Sequence, residues 1–490
     1  MKTFTVITAL FLFNSAISFS QPGSLDSSFN KDGKAKSSLL NGSSSIAVQT
    51  DGKILVQNNF SIIRFKSNGA IDKSFGTEGK TSVSFEGYSS GKKLALQPDG
   101  KIVIAGSTID NSDQYNLCLA RFKTIGTLDS SFGDNGKLTT FVSDFYYTTD
   151  MAVLPDGKIL VSVSDGSGFF GDIILYEYDS NGSFYNQFGY SSGPYTRNYG
   201  YALGIQSSGK IVVTGSTSND TAGTIFTVMR FRPDGSLDNS FGTAGKTTLG
   251  EGAGYALALQ STNKILVLAD NAFDGQDSVL ARFTKNGLPD SSFGINGNVF
   301  PPFHPAAIAV QADDKIIITG KLNNGANNDF AIARYKANGK PDKTFGVNGI
   351  VMTNFGADDN AGPLTIQPDG KIVVAGSSSG KCAIARYSGD ALPFSNATNA
   401  MPSGIVSKDL PGDATMYPNP VQSFLNIEFK NATAGKIVLN IYNASGKAVL
   451  NKQVQSNTQL DLRPLTAGIY LIKINDEDGK ELYSGKVIKE

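Results

Sequence analysis

The chain has no tryptophan, one histidine and two cysteines in 490 residues. Most hydrolytic triads need a histidine as base. The one present, His304, sits in FPPFHP, a loop stiffened by proline on both sides. A zinc site of the His/Cys type needs a set of such ligands, and one His with two widely separated Cys does not supply it. A disulfide framework is missing for the same reason. Cys118 lies three residues before Arg121 and Cys382 four before Arg386, so strand alternation turns them to opposite faces. Both read as small strand hydrophobes. Charge is scarce too. Charged residues make up 18%, and 43 Lys+Arg balance 43 Asp+Glu. Bulk electrostatics therefore recruits neither nucleic acid nor an anionic membrane. The apolar run at 4–13 is too short for a membrane span, and no other stretch approaches about twenty apolar residues.

What the chain does have is a repeat. A block Gln-x-Asp-Gly-Lys, followed by alternating β-branched residues, starts at Gln49, Gln97, Gln206, Gln260, Gln311 and Gln367, and LPDGKILVSV at Leu154 adds a seventh copy. Some copies are degraded: Ser208 replaces Asp, and Asn263 and Asp314 replace Gly. The glycine position recurs at 52, 100, 157, 209, 263, 314 and 370. A period near fifty with strand chemistry means a propeller or a β-solenoid. Each copy holds a strand such as LALQ, an Asp-Gly hairpin turn, a second strand (KIVIAG), a third (LCLARF) and a fourth (GKLTTF). Four strands in one unit favour a propeller blade. The fold expected is all-β: a seven-bladed β-propeller followed by a small Ig-like β-sandwich.

A second block, Leu-Asp-x-Ser-Phe, also occurs seven times but is shifted. It appears first at 25–29, recurs with Asp72, Asp129, Asp238, Asp290 and Asp342, is degraded at 184–188, and is absent after Arg386. The chain thus begins with the half-unit its last copy lacks, as expected where an N-terminal strand closes a ring. Six copies carry Arg64, Arg121, Arg230, Arg282, Arg334 and Arg386 at one position; the third has Glu177 there and Tyr185 in place of the aspartate. Arg and Asp vanish together, so each Arg is expected to pair with the Asp after it, and Arg386 with Asp26 across the closure.

These blocks resemble the delta-60 repeat family of secreted bacterial proteins. The resemblance rests on QPDGKIVVAGS at 367–377, LARF at 119–122 and GSLDNSFGTAGK at 235–246, and covers 21–388. It implies a β-propeller-like fold and brings no assigned activity. Ahead of it, residues 1–20 read as a signal peptide: Lys2, an apolar run, then Ser18 and Ser20 before the cleavage point. Residues 389–415 read as a linker rich in Pro, Gly, Ser and Asn. Residues 416–490 alternate as strands, in FLNIEF and two hairpins, and suggest a sandwich. This segment resembles the type A sorting domain of the type IX secretion system, on Tyr417, Pro418, Asn419 and Pro420, then LTAGIY with Gly468 and Tyr470, then the basic end. It implies a Bacteroidetes-type host, handling by the type IX secretion machinery, passage through the periplasm, and cleavage in the linker with surface anchoring or release.

Residues common to every copy hold a fold; residues unique to one loop are where function can sit. Two loop families vary. One follows KIVIAG and is rich in Asn, Asp and Gly; the other precedes the Gln strand and is rich in aromatics. Each family is expected to gather on its own face. Candidate ligand contacts are Tyr146, Tyr147, Tyr195, Tyr199, Phe303 and His304, with Tyr201 beside them, because exposed rings stack on sugar faces while nearby Asn and Asp bond the hydroxyls. Candidate metal ligands are Asp110 and Asp113 in one loop and Asp358 and Asp359 in another, an oxygen set that suits Ca2+. No other cofactor is indicated. The leading expectation is a secreted or surface binding or scaffold module for an extracellular glycan or protein. The alternative is a glycan-active enzyme using Asp144, Asp172 or Asp358.

Overall fold

The computed structural model describes residues 21–143, 146–165, 172–191, 196–219, 223–271, 278–390, 414–417, 424–429, 437–442, 448–454, 458–465, 468–475 and 481–489. The chain divides into two compact units, Met1–Asp390 and Ala391–Glu490.

In the larger unit, the second repeat shows how its sequence becomes a sheet. Tyr88–Leu96, Ile102–Ile109, Tyr115–Phe122 and Lys137–Ser143 pair antiparallel in that order. The Asp-Gly turn between the first two needs a left-handed residue: Gly52, Gly100, Gly157, Gly209 and Gly370 have φ between +78° and +87°. Where the repeat is degraded, Asn263 and Asp314 take the same conformation at +61° and +63°. Asn and Asp are the non-glycine residues that tolerate it best, so the degraded copies still turn.

The same four-strand order recurs over 45–82, 146–190 and 304–353. A seven-stranded sheet runs from Thr196–Ile205 to Asn298–Val299. Its central strand Lys246–Leu259 is 14 residues long; its first half ends one four-strand unit and its second half begins the next. The GKLTTF segment therefore belongs to the outer edge of its own unit. The last sheet draws on both ends of the unit: Asp359–Ile366, Ile372–Ser378 and Lys381–Tyr387 are completed by Lys34–Ser37. First strands of successive units pack side by side, and Ser45–Val48 packs beside both Tyr88–Leu96 and Asp359–Ile366. The arrangement is all-β and β-propeller-like.

Hydrophobic clusters fill the spaces between consecutive sheets. Val103, Leu117 and Leu119 meet Ile159, Val161 and Tyr176 between one pair. Ile54, Val56 and Ile63 meet Val373, Cys382 and Ile384 where the N- and C-terminal sheets adjoin. Sheets covered on both faces need continuous apolar strands rather than alternating ones, which is why IVIA and LCLARF are buried throughout. Cys118 and Cys382 are free and buried in different clusters.

A clasp links each sheet to the next. Arg64 Nε lies 2.9 Å from Asp72 Oδ2, its Nη1 donates to Gln49 Oε1 at 3.1 Å and to the Thr124 carbonyl of the following unit at 2.6 Å, and its guanidinium sits over buried Phe75. The ion pair recurs as Arg121–Asp129, Arg230–Asp238, Arg282–Asp290 and Arg334–Asp342, at 2.8–2.9 Å. Arg386 Nε donates to Asp26 Oδ2 at 2.8 Å. A buried guanidinium needs its donors satisfied and its charge matched, and carboxylate, carbonyl, amide oxygen and ring face together do this. The third unit solves the same problem differently: Lys158 Nζ lies 3.3 Å from Glu177 Oε1 and 3.4 Å from the centre of the Tyr185 ring. In the sixth, Asp390 takes the place of the neighbouring carbonyl, accepting from Arg334 Nη2 at 2.9 Å and Lys315 Nζ at 2.6 Å.

In the smaller unit, Ala414–Tyr417, Phe424–Phe429 and Thr458–Asp461 form one sheet. Ala448–Val454, Ile437–Tyr442, Gly468–Asn475 and Glu481–Lys489 form the other. Leu425 and Ile427 from the first share a core with Leu439, Ile441, Ile472 and Ile474 from the second.

Candidate functional site

The inner strands that follow Ser45–Val48 in the larger unit share one irregularity. Register slips by a residue between Gly91 and Lys93, Thr148 and Asp150, Gly200 and Ala202, Gly254 and Ala256, and Pro305 and Ala307. A two-residue slip separates Ala361 from Leu364. Each slip is a β-bulge, a device that re-aims a side chain. The extra residues are Lys92, Thr149, Tyr201, Tyr255, Ala306 and the Gly362-Pro363 pair. All of them line one central cavity of about 410 Å3.

The glycine that ends KIVIAG makes four of these bulges fit. Gly106, Gly215, Gly320 and Gly376 each face the residue just before the slip. A Cβ at Gly106 would come within 2.2 Å of the Ser90 carbonyl oxygen, and one at Gly376 within 2.1 Å of that of Asn360. At these four bulges the inner backbone swells into space that no side chain occupies; the bulges at Thr148 and Gly254 face Val163 and Ala269 instead.

The cavity wall is uneven. Lys92, Lys93, Thr149 and Asp150 make one arc polar and charged; Tyr201 and Tyr255 make the next aromatic; Ala306, Ala307 and Pro363 make a third small and apolar. Lys93 Nζ pairs with Asp150 Oδ1 at 2.9 Å, and Asp150 Oδ2 accepts from Leu203 N at 3.0 Å. Tyr201 stacks on Tyr199 at 6.1 Å between centroids, and Tyr255 on His304 at 6.2 Å, with planes within 10° and 8° of parallel. The Tyr255 hydroxyl donates to the Pro305 carbonyl at 3.0 Å. Burial pushes both phenols above their ordinary range, so they stay protonated donors.

Of the predicted ligand residues, Tyr199 and His304 therefore back the cavity tyrosines. His304 Nε2 also lies 3.5 Å from Asp270 Oδ1. Phe303 is a correction. It is 7% exposed and packs with Phe293, Ile316 and Ile318. Its ring occupies the space that Gly320 leaves open, 2.8 Å from where a Cβ would stand. The side chains of Tyr146, Tyr147 and Tyr195 lie outside the described residues, as does Asp144.

The acidic loops close on themselves. Asp110 Oδ1 accepts from Ser112 N at 2.9 Å and Gln114 N at 3.0 Å, and its Oδ2 from Asn116 at 3.0 Å; these hydrogen bonds hold its carboxyl below the usual range. Asp113 occupies the left-handed turn position at φ +59°. Asp358 Oδ1 accepts from the Asn328 backbone and side chain at 3.1 and 2.9 Å. Asp359 is fully buried and accepts from Phe355 N at 2.6 Å. Among the described residues no group of three or more His, Cys, Asp or Glu is placed to hold a metal ion. The two loop families also share a face, contrary to the expectation from sequence: Asn111 Nδ2 of one donates to Glu86 Oε1 of the other at 2.8 Å. With four antiparallel strands per unit, the second-to-third and fourth-to-first connections leave from the same end.

In the smaller unit Tyr470 is buried in the core, next to Gly468 in the same strand. Tyr417 ends a strand, and Pro418, Asn419 and Pro420 lie outside the described residues.

The sequence signal for the cavity was present but weak. It is one repeat position that changes from Lys to Thr to Tyr to Ala while its neighbours repeat, and only the bulge shows which way it points.

Comparison with known families agrees with this division. Residues 415–490 match the secretion system C-terminal sorting domain. Residues 49–75, 97–132, 206–241, 260–293, 311–345 and 367–390 match the domain of unknown function (DUF5122) beta-propeller; the third repeat, with Glu177 and Tyr185, is passed over. No curated protein matches the chain in sequence. Among solved structures, the extracellular domain of a putative one component system from B. thetaiotaomicron is similar at 12% identity and TM-score 0.40. The match covers 96% of this chain, which spans 58% of that one. Polysaccharide lyase Uly1 is similar at 9% identity and TM-score 0.44, over 70% of this chain and 89% of that one. A protein of unknown function from Dyadobacter fermentans is similar at 10% identity and TM-score 0.42, over 73% and 99%. These likenesses carry no argument about activity. No helix among the described residues is long and apolar enough to cross a membrane. The chain carries β-propeller repeats ahead of a secretion-system C-terminal sorting domain, and it is exported through the periplasm to the cell surface or beyond.

Proposed function

We propose that this protein is a recognition module that binds a saccharide in its central cavity. The carrying observation is the contrast between two repeat positions. The clasp residues recur from unit to unit and serve the fold. The bulge residues differ, and they bring a cation, hydroxyls and two ring-backed tyrosines to one wall. Rings stack on the apolar faces of sugars and hydroxyl groups bond their edges, while a mostly pre-formed concave site limits the ordering cost. In this reading the four-strand units are the blades of a seven-bladed propeller of the delta-60 kind. The two facing sheets of the smaller unit are an Ig-like sandwich of type A, read by the type IX secretion machinery. A Ca2+ requirement is part of the test and not of the reading.

The test is a glycan-array screen of the full chain, with and without Ca2+, followed by the Tyr201→Ala/Tyr255→Ala variant. Specific binding that is lost in a variant with an unchanged unfolding midpoint supports the proposal. Binding unchanged in that folded variant removes the cavity as the site. An array with no binding under either condition removes the saccharide.

A further inference from the structure

We infer that the ligand of the central cavity is an acidic saccharide, held by Lys92. This rests on the cavity reading above and deepens it.

Three charged side chains are among the described residues that line the cavity: Lys92, Lys93 and Asp150. Two of them are already matched. Lys93 Nζ is 2.9 Å from Asp150 Oδ1, and Asp150 is further committed to two backbone amides, Met151 N at 2.9 Å and Leu203 N at 3.0 Å. Asp150 is 7% exposed, and the cation it pairs with is Lys93. Lys92 is therefore left over. It is exposed, and it has no carboxylate partner among the described residues. It stands on the wall because the bulge between Gly91 and Lys93 turns it there, out of the alternation that would otherwise put it in the sheet.

The chain as a whole is neutral, with 43 charges of each sign, so a single uncompensated cation in the cavity is a local feature. A concave site with low-dielectric walls concentrates the field of such a charge. The walls opposite offer no competing acid: Tyr201, Tyr255, Ala306 and Pro363 are neutral, and the tyrosines stay protonated. A ligand that satisfies the wall must present an anionic group to Lys92 within reach of a ring face for Tyr201 or Tyr255. A neutral sugar meets only the aromatic half. A small inorganic anion meets only the cation. A sugar bearing a carboxylate or a sulfate meets both.

The experiment is titration calorimetry of the full chain with three probes of equal length: a galacturonate trimer, a 6-sulfated galactose trimer and a neutral galactose trimer. The expected result is binding of at least one acidic probe about fivefold more tightly than the neutral one at low salt, as one partly exposed ion pair permits. That preference should shrink at high salt. Lys92→Gln should erase the preference while leaving neutral-trimer affinity within about twofold. Lys92→Arg should keep it. The carboxylated and sulfated arms identify which anion is meant. Equal affinity for acidic and neutral probes, or a preference that survives Lys92→Gln, overturns this inference and leaves the cavity reading standing. Loss of all binding in Tyr201→Ala/Tyr255→Ala with the Lys92 preference intact in the parent supports both. Absence of binding to all three probes, together with a blank glycan array, overturns both.

Discussion

Arg386 Nε donates to Asp26 Oδ2 at 2.8 Å across 360 positions of sequence, and the same guanidinium donates to the Ser67 carbonyl at 2.5 Å and to Ser28 Oγ at 3.0 Å. One side chain thus ties the N-terminal segment, the first sheet and the last sheet together. Arg386 is buried and Asp26 nearly so. Removing one partner leaves the other charge unmatched, which costs about 3 kcal/mol at buried sites. Asp26→Asn is expected to lower stability in denaturant by about 2–3 kcal/mol, and Asp26→Asn with Arg386→Met by less than the sum of the single changes. Strict additivity would mean the pair does not hold the closure.

The clasp aspartates make stability pH-dependent. The carboxyls of Asp26, Asp72, Asp129, Asp238, Asp290 and Asp342 all lie below their ordinary value of 3.8. Burial alone would raise each. Hydrogen bonds, chiefly from the Ser or Thr two residues on, and the adjacent Arg and Lys charges outweigh it. A depressed carboxyl contributes stability that is full above the unfolded-state value and is lost as pH falls through the folded-state value. The unfolding midpoint should therefore be level from neutral pH to about 5 and drop steeply below about 4. Asp72→Asn should reduce that acid slope. A midpoint that rises between pH 5 and pH 3 would contradict the account.

The third unit offers a reconstruction. Glu177→Arg by itself places a second cation beside Lys158 with no acid to match it, since Tyr185 stands where the others have Asp. Its unfolding midpoint should fall. Adding Tyr185→Asp should recover most of the loss, because the missing ion pair is then complete. Failure of the double variant to recover would show that Tyr185, held in the strand Phe184–Tyr190 rather than in the turn its siblings use, cannot place an Asp beside residue 177.

Two substitutions separate the two uses of glycine. Gly106→Ala drives a methyl to 2.2 Å from the Ser90 carbonyl oxygen and is expected to cost about 2–3 kcal/mol, the upper range for overpacking. It should also weaken any cavity ligand, because the Lys92 bulge must shift. Asn263→Gly keeps a turn at φ +61° that glycine also adopts and removes the side-chain hydrogen bonds to Ser207 N and Oγ at 2.9 and 2.8 Å, so it is expected to cost only about 0.5–1 kcal/mol. Equal effects from the two would deny that Gly106 is required by close approach.

Much of this architecture was legible along the chain. A period near fifty, an Asp-Gly turn before each apolar strand and Arg lost in step with Asp are local or pairwise patterns, and backbone geometry and charge matching write them into every copy. The shifted Leu-Asp block likewise pointed to a strand supplied from the N-terminus, because an edge left unpaired in one copy must be filled by another. What folding alone decided was direction and depth. Phe303 and Tyr255 look alike as loop aromatics, yet one fills the space over Gly320 and the other lines the cavity. Lys92 and Lys93 are adjacent, yet one is paired with an aspartate 57 positions on and the other faces the open cavity. A one-residue bulge reverses which way a side chain points, and how the bulged strand meets its partner depends on the residue facing it, glycine in four cases and Val163 or Ala269 in two, and on the sheets packed around it. Those contacts exist only when distant repeats meet, so no window of sequence contains them.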